Sequence, residues 1–398
     1  MTSFPLEPQW PVAKLREQGL YFNFHDIQAY LEHGRVEVAG FGEMILLGGY
    51  SYLGLNRHPR IDDAAIAAIR KYGTGTHGVR LLAGHLALHR ELETTLAHFK
   101  QTAAAVTFSS GFFANVSTIA CLAGRHDTVI CDSLDHASIV DGCQLSRAKL
   151  LRFRHNDMDH LERCLAKADG NKLVIVDAVF SMDGDIIDLP TVSQLCRHYG
   201  ATLMVDEAHS IGVLGRTGRG IEEHFGLPPD AIDIKMGTLS KAIPAMGGYI
   251  AASKPICDFL AHQARGYIYS GALAPPVVAA AKAALEVILD EPDRVARLHD
   301  NTRYFAAGLR RLGIDFMASE TAIFPILCGD DWQAFHMAKQ CWDRGVYVQP
   351  IPHPVVPKGK ARLRAAVSAS HRREELDICL DTLDRARQAL AHELDAVA

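Results

Sequence analysis

ATLMVDEAHSIGVLGRTGRGIEEHFGLPPDAIDIKMGTLSKA (residues 201–242) contains two short apolar runs, and each closes on polar residues. The first ends in Asp206-Glu207-Ala208-His209, the second in Gly237-Thr238-Leu239-Ser240-Lys241. Runs that are apolar throughout, rather than alternating, suit parallel strands covered on both faces. Around them, between about residue 100 and residue 255, AAAVTFSS, TVICD, KLLRFR, KLVIVDAVF and GGYIAAS read the same way. The intervening stretches, such as FFANVSTIACLAG and LPTVSQLCRHYG, have helical spacing and stop at glycine. Repeated strand–helix alternation predicts an α/β core, a mainly parallel sheet with crossover helices. Ligands in such sheets gather at the carboxyl ends of the strands. The polar punctuation SSGFF, CDSLDHAS, FSMDGD, DEAHS and TLSK therefore marks where chemistry is expected.

After Pro275-Pro276 a long helix is predicted to lead out of this core. AIFPILCG, a helix from Trp332 to Arg344, VYVQPI, ARLRAAVSAS and a last helix from Arg372 read as a small α+β domain. The first sixty residues suggest a helix, a short hairpin and a connection. The expected divisions are an N-terminal segment (1–60), a large domain (61–285) and a small C-terminal domain (286–398).

Hydrophobic residues at 48% and charged residues at 22% describe an ordinary globular chain without a disorder signature. Net charge is −5 and no basic block occurs, which argues against a nucleic-acid partner. MTSFPLEPQWPV places Pro and Glu where a secretory signal needs basic and apolar residues. The apolar stretch PPVVAAAKAALEVI is short and interrupted by Lys282, so no transmembrane segment is expected and the cytoplasm is the expected compartment. Nine scattered cysteines without a CxxC pair predict neither a disulfide framework nor a structural zinc site. No HExxH spacing occurs, and no metal is predicted.

Taken singly, the motifs are ambiguous. Gly73-Thr-Gly75-Thr-His77-Gly78 spells GxGxxG, but it follows a helical run instead of a strand, so a loop bordering a site is the better reading. Ser109-Ser110-Gly111-Phe112 joins a strand to a helix. Its exposed amides suit a phosphate, and Ser110 equally suits an N-cap. Asp206 at a strand end suits a protonated ring nitrogen, or else caps the next helix; His209 is a site residue or a core histidine. Lys241, flanked by the hydroxyls of Thr238 and Ser240, suits imine formation and proton transfer. The combination, D-x-x-H about thirty residues before S-K on consecutive strand ends, carries the argument.

With YSYLGL (50–55), GTGTHGVRLLAGH, LDHASIVDG, RFRHND, VFSMDGD, VDEAHSIGVLG, GTLSKA and PVVPKGKARLRAAVSASH, the chain resembles the α-oxoamine synthases from about Gly48 to its last helix. These are pyridoxal-phosphate enzymes of fold type I. Members include 8-amino-7-oxononanoate synthase, 2-amino-3-ketobutyrate CoA ligase and serine palmitoyltransferase. The resemblance implies that Lys241 carries pyridoxal phosphate as a Schiff base. It implies that His136 stacks on the pyridine ring, that Asp206 pairs with the ring nitrogen, and that His209 and Ser181 approach the ring hydroxyl. Gly111 and Phe112 amides, Thr238, and Ser270 of a second subunit are implied for the phosphate, with Ser110 and Ser240 alongside. Arg364 would receive the amino-acid carboxylate, and Tyr50 with the GTGTHG loop would border the acyl thioester. Two departures stand out: Gly271 and Ala272 replace a hydroxyl usual in the family, and His77 replaces a small residue, facing either the site or solvent.

The implied reaction is a decarboxylative condensation of a small L-amino acid with an acyl thioester of CoA or a carrier protein, in a homodimer with shared sites. It releases CO2 and thiol and yields an α-amino ketone, a C-acyltransferase activity. Narrower readings are glycine C-acetyltransferase, towards which PVVPKGKARLR and VFSMDGD lean, and serine palmitoyltransferase, towards which GTGTHGVRLLAG leans. A simple aminotransferase and a non-catalytic binding module are the readings from other classes.

Overall fold

The computed structural model describes residues 10–22 and 25–397. Residues 1–9, which the signal-sequence reading used, lie outside them. The chain divides into two compact units. One comprises Tyr50–Asp300 with Glu320–Ala322; the other comprises Met1–Gly49, Asn301–Ser319 and Ile323–Ala398.

The N-terminal strands are β1 (Ile27–Tyr30), β2 (Arg35–Val38) and β3 (Gly42–Leu46). The larger unit then supplies β4 (Ala104–Phe108), β5 (Thr128–Asp132), β6 (Lys149–Phe153), β7 (Lys172–Asp177), β8 (Thr202–Asp206), β9 (Ile234–Thr238) and β10 (Gly248–Ala252). They form one sheet in the order β4-β10-β9-β8-β7-β5-β6. The five strands β5 to β9 pair in parallel, while β10 runs antiparallel to both β4 and β9. All seven apolar runs in the sequence became strands of this sheet. The register aligns Asp177 with Asp206 and Asp206 with Met236, so neighbouring parallel strands stop at one edge.

Local chemistry ends the helices as the sequence suggests. Ser110 caps the helix Gly111–Leu122 by accepting the Phe113 N–H at 3.1 Å. Gly200 closes the helix Leu189–Tyr199 in the left-handed conformation that glycine adopts without strain. The helix Pro275–Asp290 does not lead out of the larger unit. Its Val278, Ala281, Leu285 and Ile288 are buried, and it packs on the helices Pro59–Tyr72 and Ala87–Phe99. The expected boundary at residue 285 thus cuts a buried element, and the division falls after Asp300 instead.

In the smaller unit, β11 (Ile323–Gly329), β13 (Gln349–Ile351) and β14 (Ala361–Ala366) form an antiparallel sheet with β14 central. The strand β12 (Val346–Tyr347) pairs in parallel with β3 in the sheet β1-β2-β3-β12. VYVQPI, read as one element, therefore feeds two sheets. Residues 1–60 are not a segment of their own either. Leu20, Val36, Met44 and Leu47 share a core with Phe305, Phe324, Trp342, Leu363 and Leu380, and the Ala366 N–H donates to the Leu47 carbonyl at 2.6 Å. Tyr52, Leu53 and Leu55 are buried within the larger unit. Among the described residues, no helix is long and apolar enough to cross a membrane.

Candidate active site

At the carboxyl edge of the parallel strands lies a cavity of about 240 Å³, formed wholly within the larger unit. Five turns supply it: Ser110, Gly111 and Phe112 after β4; His136 after β5; Asp177 and Ser181 after β7; Asp206 and His209 after β8; Thr238, Ser240 and Lys241 after β9. Ten polar or glycine positions, with Phe112, separated by up to 131 residues in sequence thus converge because the strands stop together.

The Lys241 Nζ sits 2.7 Å from His209 Nε2, and the other ring nitrogen of His209 is 2.8 Å from the hydroxyl of buried Tyr52. The Tyr50 ring lies 5.6 Å from Nζ and 5.7 Å from the His209 ring. Asp206 is 5% exposed, yet among the described residues no cationic side chain pairs with it. Its carboxylate accepts only from Asn115 Nδ2 at 2.7 Å and from the Ala208 N–H at 2.9 Å. A buried carboxylate with spare acceptor capacity at the floor of a cavity suits a cationic N–H from a ligand.

His136 caps the helix Ala137–Ser146, and its backbone N–H donates to Asp177 Oδ2 at 3.0 Å. Burial lowers the proton affinity of its ring, against the pull of Asp206 and together with the repulsion of Lys241. Burial and the neighbouring Asp206 carboxylate hold Asp177 well above the usual carboxylate range. Asp135, raised by burial and by Asp177, accepts the Asp132 and Asp177 N–H groups at 2.8 Å each and so ties the ends of β5 and β7 together.

Glu207, next to Asp206, turns to the opposite face of the sheet. It is fully buried, 2.6 Å from Lys100 Nζ, and accepts the Ile221 N–H at 3.1 Å. In D-E-A-H, alternation along the strand thus separates a cavity carboxylate from a structural one.

Some expected site residues lie elsewhere. Ser270 lines a small crevice with Arg80, Thr107, Ser109 and Tyr267, apart from the cavity. His77 is exposed in the loop after the helix Pro59–Tyr72, at a φ of 55°, and does not line the cavity. That loop is pinned where Val79 bridges Gly271 and where the Ala272 N–H donates to the Gly78 carbonyl at 3.0 Å. Gly271 and Ala272 therefore make backbone contacts with that loop. Arg364 is buried on β14 of the smaller unit, opposite Pro325 and Gln349.

Sequence reasoning missed Tyr52, Asn115, Ser138 and Asp177. Asn115 lies four residues after Gly111 on one helix, so helical periodicity placed it beneath the phosphate turn. Ser138 is two residues after His136 in the quoted DHAS motif. Tyr52 was within reach in YSYLGL. Asp177 was hidden in an apolar strand.

An amine-bearing lysine and a buried acceptor lining one cavity, beside a helix N-terminus, suit pyridoxal phosphate on a fold type I core. Comparisons with known proteins agree. The family model for aminotransferase class I and II matches residues 42–383. The chain is 44% identical over 369 residues to 8-amino-7-oxononanoate synthase of Symbiobacterium thermophilum, covering 92% of this chain and 93% of the relative. It is 41% identical over 379 residues to serine palmitoyltransferase of Bacteroides thetaiotaomicron, covering 95% of each. Among solved structures, a serine palmitoyltransferase variant from S. paucimobilis with a bound PLP–myriocin aldimine superposes with a TM-score of 0.92 at 33% identity, covering 96% of both chains. The chain belongs to the α-oxoamine synthase family within the class I and II aminotransferase fold, a family of pyridoxal-phosphate-dependent C-acyltransferases.

The residues present fit that cofactor. A Cβ at Gly111 would come within 3.1 Å of Thr238 Cβ and Oγ1, so glycine keeps the turn open beside the Thr238 hydroxyl where a side chain would press on it. The unpaired acceptor capacity of Asp206 matches a protonated pyridine nitrogen, and Lys241 presents its amine to the same cavity.

Proposed function

We propose that this enzyme condenses a small L-amino acid with an acyl thioester, releasing CO2 and free thiol and leaving an α-amino ketone. The observation that supports it most is the convergence of Lys241, Asp206, His209 and His136 on one cavity in a chain that matches α-oxoamine synthases over nearly its full length. When bound, pyridoxal phosphate supplies an aldehyde that forms an imine with an amine and a ring that withdraws electrons from the adjacent carbon.

This chain's residues then divide the work. Lys241 Nζ holds the cofactor in the resting enzyme and moves the proton at the amino-acid α-carbon once released. Asp206 keeps the ring nitrogen protonated. His136 covers the ring, while His209 and Ser181 address its hydroxyl. The amides of Gly111 and Phe112, the Ser110 turn, Thr238 and Ser240 hold the phosphate, with Ser270 reaching the site of a partner subunit in a homodimer. Arg364 receives the substrate carboxylate through its planar fork. Tyr50 flanks the thioester, and His77 sits on the surface loop beside it. The enzyme works in the cytoplasm.

Product names define two substrate pairs. An 8-amino-7-oxononanoate skeleton is decarboxylated alanine joined to a seven-carbon diacid acyl group; serine with palmitoyl thioester is the pair favoured by the match to serine palmitoyltransferase. The holoenzyme is offered each amino acid with each thioester, on CoA and on a carrier protein, and thiol and CO2 are measured. Stoichiometric release of both from one pair supports the reading. Keto-acid exchange without thiol release would establish an aminotransferase instead.

A further inference from the structure

Four side chains lining the cavity fix one another's hydrogens. Asn115, 1% exposed, places Nδ2 2.7 Å from Asp206 Oδ2 and 2.9 Å from Ser138 Oγ. A carboxylate only accepts hydrogen bonds, so the amide must turn its NH2 towards Asp206; the reverse setting would oppose two oxygens. One Nδ2 hydrogen goes to Asp206 and the other to Ser138 Oγ. The Ser138 hydroxyl accepts from Asn115 and keeps its own hydrogen, and His136 Nδ1, towards which the Ser138 backbone N–H already points, lies 2.7 Å away to receive it. The Ser138 backbone N–H points at the same nitrogen from 3.2 Å. Nδ1 accepts twice and has no room for a proton of its own.

We infer that Asn115 is a positioning residue that, through Ser138, holds His136 as the neutral tautomer with its hydrogen on Nε2. The second ring nitrogen is thereby committed by its partners, as second neighbours commonly commit a histidine. The groups facing His136 agree with a neutral ring. Asp206 on β8 favours the charged form, Lys241 after β9 opposes it, and Asp141 on the same helix adds a weaker pull. Asp177 on β7 is occupied by the His136 backbone N–H, and Phe112 sets its ring edge-on at 6.2 Å. Burial outweighs these attractions. The cost of the arrangement is visible: Asn115 Oδ1 is buried without a hydrogen-bond partner. An amide that leaves one of its own acceptors unpaired is placed there for the two hydrogens it gives.

The consequence rests on the proposed reaction. A neutral Nε2–H donates to an oxygen of the substrate without supplying a full positive charge that would compete with a cationic ring N–H for the Asp206 carboxylate. The tautomer itself does not depend on which substrates bind.

Nitrogen-15 NMR of the substrate-free holoenzyme, labelled at histidine and assigned with a His136→Gln control, tests it directly. The expected spectrum at neutral pH shows an unprotonated Nδ1 and a protonated Nε2 for His136. Ser138→Ala removes one donor to Nδ1 and is expected to raise the pKa of His136 by about one pH unit. Asn115→Leu removes the donor that orients the Ser138 hydroxyl, and a rise in the same direction is expected. Ser138→Thr keeps the hydroxyl and leaves the pKa in place. Both disruptive variants are expected to lower kcat roughly tenfold with KM for the amino acid held within about twofold. A wild-type ring protonated at Nδ1, or an Asn115→Leu pKa equal to wild type, overturns the inference. Should Asn115→Leu fail to fold, the wild-type spectrum and Ser138→Ala decide. Failure of the proposed substrates would leave these spectra unchanged, so the two readings fail separately.

Discussion

Replacing Gly111 by alanine isolates the phosphate turn from the rest of the enzyme. The new Cβ would stand 3.1 Å from Met236 Cε, Thr238 Cβ and Thr238 Oγ1. Ordinary carbon contacts lie at about 3.5–4.0 Å, so each neighbour must retreat by several tenths of an ångström. The Met236 terminus is flexible and yields. Thr238 does not yield freely, because Oγ1 is held at 2.8 Å from Ser240 Oγ and donates to the Gly247 carbonyl at 3.1 Å. Overpacking of this kind costs about 1–3 kcal/mol, which is roughly a fivefold to 150-fold rise in the Kd of pyridoxal phosphate if the bound state bears it. Without cofactor, only the Ser240 and Gly247 contacts oppose a turn of the Thr238 side chain, and alanine, which favours helix over glycine by up to about 1 kcal/mol, offsets the cost of loosening them. The expected signature is therefore a split: Tm of the cofactor-free protein unchanged or raised, and cofactor-induced stabilisation reduced. Absorbance titration of the cofactor-free variant gives Kd, and thermal melts with and without cofactor give the split. Wild-type Kd in Gly111→Ala would refute the assignment of this turn to the phosphate.

Tyr52→Phe should lower kcat by about tenfold and shift the pH midpoint of the holoenzyme absorbance, because it strips a buried partner at 2.8 Å from His209; an unchanged midpoint and rate would show that His209 needs no such support. Tyr249, fully buried on β10, has a hydroxyl with no hydrogen-bond partner among the described residues, and burial holds its phenol well above the usual range. Tyr249→Phe is accordingly expected to raise Tm by a few degrees, roughly 2–6 °C, and a fall of that size in a melt would contradict it. His155 is opposed by burial but hydrogen-bonds Asp132 at 3.1 Å and Asp185 at 2.8 Å, which push its pKa from 6.5 up to about 10. A raised folded pKa stabilises fully below the unfolded value, so this contribution is complete below 6.5 and lost as pH rises through about 10. Denaturant midpoints followed from neutral to alkaline pH should fall more steeply for wild type than for His155→Asn, and parallel curves would refute the link.

The sheet was legible because most of its strands are buried and read as apolar runs, the edge strand β6 with its Lys149 and Arg152 being the exception. Lys241, Asp206, His209 and His136 were legible because they interrupt those runs at their carboxyl ends. Tyr52 and Asn115 were not, since motif and helical spacing put them near the site without showing which partners they meet. Their meaning comes from His209, 157 residues after Tyr52, and from Asp206, 91 residues after Asn115. The domain boundary failed for a related reason. Pro275-Pro276 signals a helix start, not the partner against which that helix packs. The pairing of β3 with β12 joins segments three hundred residues apart, and neither strand announces it.

That pairing orders the events of synthesis. The smaller unit is made from both ends of the chain, with the larger unit inserted between them. At about 5–20 residues per second, the roughly 250 residues of the insert take on the order of ten to fifty seconds to emerge. Throughout that interval Val36, Met44 and Leu47 have been made, but Phe324, Trp342 and Leu363, their core partners, have not. The catalytic sheet can close first as a nearly continuous stretch, while the first segment waits with its apolar face uncovered. A ribosome-stalled chain ending near residue 300 should therefore protect β4 to β10 from protease and leave residues 27–46 open to cleavage.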